Sequence, residues 1–287
     1  SRGLGDVYKR QGGSHDLTLS GALSGNGNLI KNGSGQLLLT GTSSYTGNTS
    51  VNAGSLTVNG SFASANVQVA NGASLGGSGT LAGQVSLADG ASLNVASATA
   101  PLTVGGLSLV AASNLNFALG APTTQTAVVK VNGDLVLNGK LNISNAGGFG
   151  FGVYQLFSYG GALTDNGLSL GNLPSGFYAA QMTLQTALAN QSNLVVGEAD
   201  GSLLFWNGDK TSADGSIAGG NGVWGPDTNW TNSTGRNASN WTGGQFAVFG
   251  GQSGTVTVQG ARTFSGLQFL SDGYQVVGGC LLYTSPS

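Results

Sequence analysis

The sequence predicts an all-β solenoid, a parallel β-helix of short stacked coils, and three observations predict it. Short alternating strands such as Leu37-Leu38-Leu39, Leu56-Thr57-Val58, Val67-Gln68-Val69, Val85-Ser86-Leu87 and Leu135-Val136-Leu137 recur along the chain, punctuated by Asn-Gly and Asp-Gly. One strand–turn–strand unit repeats: Val67 to Leu75 aligns with Val85 to Leu93, a shift of 18 residues, with looser echoes at Val51 to Leu56 and Val131 to Leu135. The composition suits a chain that stacks on itself, with 52 glycines, 39% hydrophobic residues and only 7% charged ones. Asn-Gly between alternating strands is also a hairpin signal, which would build an antiparallel sandwich or barrel. Strands of three to five residues and a shift of about one coil favour stacking instead. Register separates the two. A β-helix sets Val67 over Val85 and Leu75 over Leu93 in parallel, whereas a sandwich pairs the strands across Asn71-Gly72. Helical signals are scarce, and the best of them, Gln181 to Asn190, is short and flanked by Thr and Asn.

The same composition narrows the function. Soluble domains carry about a quarter charged residues. Here Asn, Ser, Thr and Gln replace them as the wetting groups. Disorder requires low hydrophobicity and high net charge, and this chain has a formal charge of −2. With no basic excess, a phosphate-tracking nucleic-acid surface is not expected. No apolar run reaches the roughly 18 residues of a membrane helix.

The two ends read differently from the rest. Asp6-Val7-Tyr8-Lys9-Arg10-Gln11 can be coded GAT GTG TAT AAG AGA CAG. The reverse complement of that string, read from its second base, encodes Cys280-Leu281-Leu282-Tyr283-Thr284 and begins a serine codon. The string resembles the transposase adapter of sequencing libraries. Residues 1–11 and 280–287 are therefore expected to be read-through and are set aside as a tag would be. Without them the chain loses its one cysteine and keeps six basic and ten acidic residues. The outermost coils are then expected to be the least covered, with Leu17, Leu19, Leu267 and Phe269 only partly buried.

Residues 28–58 carry a string of spaced motifs: Leu29-x-Lys31-x-Gly33-x-Gly35, then Leu37-x-Leu39-x-Gly41, then Tyr45-Thr46-Gly47, then Val51-x-x-Gly54-x-Leu56. This pattern resembles the passenger-associated repeat of bacterial autotransporters. A second stretch resembles the Trp-bearing segment that such passengers place between repeat blocks. It contains Trp206-Asn207-Gly208-Asp209, Gly222-Val223-Trp224, Asn229-Trp230, Ala247-Val248-Phe249-Gly250 and Thr255-Val256-Thr257-Val258. Residues 95–200 are β-rich without a specific motif. The expected division is thus a β-helical passenger over 12–204 and a Trp-bearing passenger segment over 205–279.

The resemblance implies a single-stranded, right-handed parallel β-helix that is a fragment of a longer passenger. It also implies export to the cell surface through the outer membrane, and a C-terminal β-barrel in the parent protein that holds the passenger there. In that family the repeat is associated with efficient secretion and folding. A segment without cysteine fits the route, because disulfides formed in the periplasm hinder an unfolded chain. The resemblance points to a structural stalk that supports secretion and adhesion, with glycans or proteins of a host or biofilm surface as partners.

Candidate chemistry is thin. His15 is the one histidine, beside Asp16, which leaves a triad or a zinc site short of ligands. Parallel β-helices include polysaccharide lyases, and Asp209, Asp214 and Asp227 share one loop-rich stretch, but Asp in such loops usually forms turns. Gly76-Gly77-Ser78-Gly79 and Gly219-Gly220-Asn221-Gly222 lack the Asp of calcium-binding repeats. No catalytic residue, metal or cofactor is expected. Trp206, Trp224, Trp230 and Trp241 remain as candidate ligand-contact aromatics. Exposed, they would stack on sugar rings and make a surface carbohydrate-binding module; buried, they would form core.

Overall fold

In a computed structural model of the chain, the structure describes residues 9–11 (as backbone), 14–96, 100–122, 126–197, 202–227 and 229–284. The chain divides into two compact units. The first takes in residues 1–120, 126–148 and 157–176, and the second 121–125, 149–156 and 177–287.

The first unit is a stack of parallel coils. One sheet column runs through Leu17–Leu19, Gln36–Leu39, Ser55–Val58, Ser74–Gly76, Ser92–Ala96, Asn114–Leu119, Lys140–Asn145 and Ser169–Leu170. Every pairing along it is parallel. Leu37, Leu56, Leu75, Leu93, Leu115 and Leu141 lie in register, each 2% exposed or less. They form an inward ladder in which each coil buries its leucine on the last. A second column sets Leu29, Thr49, Val67, Val85, Leu107 and Leu135 over one another. The two registers that separate a β-helix from a sandwich, Val67 on Val85 and Leu75 on Leu93, are both parallel.

The Asn-Gly and Asp-Gly dipeptides are corners between columns, not hairpins. Ala73 N donates to Ala70 O across Asn71-Gly72, and Ala91 N donates to Ala88 O across Asp89-Gly90, each at 3.0 Å. Gly72 has φ +76°, the left-handed value that the third position of such a turn requires. The corners stack as well, with Gly72 N donating to Gly90 O and Gly90 N to Ala112 O.

Rungs of asparagine mark the coil length on the outside. Asn66 Nδ2 donates to Asn48 Oδ1 across 18 residues, Asn116 to Asn94 across 22 and Asn142 to Asn116 across 26. Asn172 N reaches Asn142 Oδ1 across 30. From Asn66 onward the coils therefore lengthen while the ladders stay in register. The extra residues enter at loops, where backbone groups can meet water.

The second unit keeps parallel pairing for most of its strands: Leu203–Trp206 with Gln245–Phe249, Gly222–Trp224 with Thr255–Phe269, and Thr255–Phe269 with Gln275–Tyr283. It also contains antiparallel pairs. Met182–Gln185 pairs with Gln191–Val196, and Trp230–Thr231 folds back on Leu203–Trp206 and on Ala238–Ser239. The Gln181 to Asn190 stretch holds no α-helix: a single 3-10 turn at Ala179–Gln181 leads directly into a strand.

Two strands include residues expected to be read-through. Lys9–Gln11 pairs in parallel with Leu29–Lys31, and Cys280 to Tyr283 extend the strand laid on Ala261 to Phe264. An open sheet edge templates a further strand through its backbone groups, with little demand on sequence. Near these ends Leu17 is 39% exposed, and Leu19, Leu267 and Phe269 are half-buried. Among the described residues no helix is long and apolar enough to cross a membrane.

Candidate functional site

The motif residues of the 28–58 stretch converge on the turns of two consecutive coils. Lys31 lies on an inward position of Leu29–Lys31 and is fully buried. Its Nζ donates to Gly33 O and, at 3.1 Å, to Ala53 O. One lysine thus joins its own turn to the turn of the next coil. Burial lowers its pKa from the ordinary 10.5, and Asp16 pulls it back upward.

Tyr45 fills the neighbouring corner. Its hydroxyl accepts a hydrogen bond from Leu29 N at 2.6 Å and donates to Asn48 O, while its ring packs on Phe62 at 5.3 Å. Burial raises its pKa. Gly47 is required by contact: a Cβ there would lie 1.8 Å from Gly27 O of the preceding coil. Inside the same corner Thr49 and Ser64 satisfy each other at 3.0 Å, and Ser64 also donates to Gly47 O. The buried lysine, tyrosine, threonine and serine all act on backbone or on one another. Sequence spacing marked Lys31 and Tyr45 as motif residues; only the coil geometry assigns them the work of joining turns.

Outside this corner, Asn28, Ser50, Asn66, Gln68 and Ser86 help to line a groove of about 280 Å³. Asn48 N donates to Asn28 Oδ1 and Asn66 to Asn48, so part of its amide lining is committed to the rung.

The four tryptophans do come together, in the interior of the second unit. Trp206, Trp224 and Trp230 are 0% exposed and Trp241 is 5% exposed. Ring centroids lie 5.2 Å apart for Trp206–Trp230, 5.1 Å for Trp224–Trp230, 4.8 Å for Trp224–Trp241 and 4.7 Å for Trp230–Trp241. The first three of these are edge-to-face and the last is tilted, and such contacts add to the area the rings bury. Phe249 packs against three of the rings and stacks on Phe269 at 4.9 Å. The indole N–H of Trp206 donates to Gly220 O and that of Trp241 to Thr263 O. The Nε1 atoms of Trp224 and Trp230 have no partner, and neither do Asn229 Oδ1 and Thr231 Oγ1. No indole face is open to a sugar in this arrangement.

The remaining candidates are exposed. His15 is exposed on the outermost described coil. Asp214 pairs with Lys210 and accepts from the Ser216 hydroxyl and amide. Those bonds, led by that from Lys210, pull its pKa from 3.8 to about 2. Asp209 and Asp227 are exposed. Among the described residues no group of His, Cys, Asp and Glu could hold a metal.

Coils in parallel register, joined by a buried lysine and tyrosine at motif positions, define a class: parallel β-helical chains built of stacked repeats. Residues 29–58 match the family described as passenger-associated-transport-repeat. Over an alignment taking in 91% of this chain, the sequence is 40% identical to the adhesin BmaC autotransporter of Brucella suis biovar 1 (strain 1330). The chain spans 8% of that protein's length. The likeness to autotransporter passengers is thereby shown on both counts, and it sets the chain at the bacterial cell surface or in the medium, beyond the outer membrane.

Proposed function

We propose that this chain is the β-helical stalk of an autotransporter passenger that supports secretion and adhesion and catalyses no reaction. The observation that carries the reading is the use to which the repeat residues are put. Lys31, Tyr45 and Gly47 are spent on joining one coil to the next, through Ala53 O, Leu29 N and the close approach to Gly27 O. A solenoid gains stability by nearest-neighbour stacking, so folding can propagate coil by coil. A coil folded outside the membrane prevents the chain from sliding back. The relative's name as an adhesin supports a role in attachment. On this reading the partners are the parent protein's C-terminal outer-membrane β-barrel and glycans or proteins of a host or biofilm surface.

The test is surface display. The 287-residue chain is fused ahead of an autotransporter β-barrel and compared with a Lys31→Ala/Tyr45→Ala variant. Protease accessibility on intact cells is scored against total expression. We expect the variant to accumulate normally and reach the surface several-fold less. Equal display of both would remove the secretion role from the repeat.

A further inference from the structure

The chain contains nine Asn-Gly pairs. Such a pair carries a latent reaction. The glycine nitrogen can attack the carboxamide of the asparagine before it, because glycine has no Cβ to hinder the approach. The reacting atoms must first meet, and the fold decides where they do. At several corners it keeps them apart. Gly60 N donates to Leu39 O, Gly72 N to Gly90 O and Gly133 N to Gly105 O, at 3.2, 3.2 and 2.6 Å. Gly167 N donates to Asp165 Oδ1 at 3.0 Å. At others the carboxamide is engaged elsewhere: Asn32 Oδ1 accepts from Asn52 Nδ2, Asn207 Oδ1 from Ala218 N, and Asn221 Oδ1 from Thr255 N.

Asn138-Gly139, the corner between Leu135–Leu137 and Lys140–Asn145, is different. Gly139 N donates to Oδ1 of Asn138 itself at 2.8 Å. Its N–H bond is aimed at the carboxamide, and the nitrogen lone pair takes that direction once the proton is lost. Asn138 is half-buried, so water reaches it. Neighbouring coils hold the pair in place. Leu137 O accepts from Asn166 N, Lys140 N donates to Ser113 O, and Gly139 O accepts from Ser169 N, all at 2.9 Å. Ser169 Oγ adds a second bond to Gly139 O at 3.0 Å. The corner is also tight: a Cβ on Gly139, which has φ +100°, would lie 2.7 Å from Ser113 O.

We propose that Asn138 is a site of spontaneous modification, converting through a succinimide to aspartate and to an isoaspartate that loosens its own corner. Solvent hydroxide removes the Gly139 N–H proton, and the nitrogen lone pair forms a bond to Asn138 Cγ. The Cγ–Nδ2 bond breaks, and the amide group leaves as ammonia after taking a proton from water. Water then opens the imide. Cleavage between Gly139 N and Cγ gives aspartate. Cleavage between Gly139 N and the Asn138 main-chain carbonyl gives isoaspartate, whose backbone runs through Cβ and Cγ. That product lengthens the main chain by a methylene between Leu137 and Lys140, both of which are bonded to other coils. Ser113 O leaves no room for it. The bonds from Lys140 N to Ser113 O and from Ser169 N to Gly139 O therefore open first, as a local event. The reaction needs only water and is independent of display and adhesion.

The experiment follows the 287-residue chain during storage in mildly alkaline buffer. Peptide mapping by mass spectrometry scores each asparagine by the mass gained as NH2 becomes OH, and chromatography separates isoaspartate from aspartate. In the folded chain Asn138 should convert about ten-fold faster than Asn59, Asn71 and Asn132, a ratio that about 1.4 kcal/mol of positioning supplies. In the chain held unfolded in guanidinium chloride the four should convert at similar rates. Asn138→Gln, whose larger ring closes more slowly, should stay intact at this position. Hydrogen exchange on the stored wild-type chain should show the Lys140 and Ser169 amides losing protection, while Asn138→Gln keeps it. The proposal is overturned if Asn138 converts no faster than the other three in the folded chain, if its lead persists in guanidinium chloride, or if the isoaspartate form keeps both amides protected.

Discussion

The two units bury their side chains in different ways. In the first, strands are short and alternate inward and outward, as in Leu29–Lys31, Gln36–Leu39 and Leu135–Leu137. Its core is a set of one-residue-wide ladders, and each coil meets only its neighbours. In the second, Leu203–Trp206 is buried at every position. Leu204 and Trp206 face the tryptophan cluster, while Leu203 and Phe205 face Val153, Leu188, Val195 and Val248. A strand covered on both faces reads as a continuous apolar run. The first unit therefore distributes its stability over many similar steps, and the second concentrates it in a few large rings. Loss of one leucine in the ladder leaves the other steps standing. Loss of Trp230 opens contacts with the three other tryptophans.

The largest expected effect follows from that concentration. Trp230→Ala removes the ring that touches Trp206, Trp224, Trp241 and Phe249. A cavity of this kind costs about 3–5 kcal/mol. Hydrogen exchange should show the second unit's amides losing protection together, with the rungs around residues 50–95 unchanged. If Leu75→Ala spreads its effect as widely, the contrast between the units is wrong.

A smaller pair of changes sharpens the account of the corners. Gly47→Ala drives a Cβ into Gly27 O and forces neighbouring coils apart, at about 1–3 kcal/mol for overpacking. Gly72 has open space around its Cβ position and φ +76°, so Gly72→Ala carries only the left-handed penalty of about 1–2 kcal/mol. Denaturant midpoints at constant slope measure both. An equal or reversed order would mean that backbone conformation, not coil spacing, sets the glycine requirement.

The smallest effect is a pH dependence. The folded-state pKa of Lys31 is lowered by burial, so in the interval below 10.5 the unfolded chain holds this proton more firmly than the folded one. Stability then rises with pH through that interval and levels off above 10.5. Lys31→Met should abolish this part of the slope. Unfolding midpoints between pH 8 and about 10.5, taken for both proteins, decide it; parallel curves would mean that Lys31 reaches solvent.

Several features were legible in the residues, for stated physical reasons. A period-2 alternation broken by Asn-Gly specifies a short strand and a corner, and the shared frame of Val67–Leu75 and Val85–Leu93 specifies that the coils lie in register. The spacing of Lys31, Tyr45 and Gly47 marked a repeat. What each does was not legible, because their partners include backbone of other turns: Lys31 donates to Ala53 O, and the Tyr45 hydroxyl accepts from Leu29 N.

By itself, then, the sequence determined the class of fold, the register of Val67 over Val85 and of Leu75 over Leu93, and the turns at Asn71-Gly72 and Asp89-Gly90, since these depend on patterns a few residues long. Only the tertiary structure decided what covers the outward face of each strand. That choice buried Trp206, Trp224, Trp230 and Trp241 against one another. It also folded Trp230–Thr231 back antiparallel and left Phe151 and Tyr178 in water. An aromatic side chain gains free energy from any apolar neighbour, so its composition does not name that neighbour. The neighbour is set by the chain brought alongside, from Trp206 to Phe249 in one case and from Val153 to Gln268 in the other.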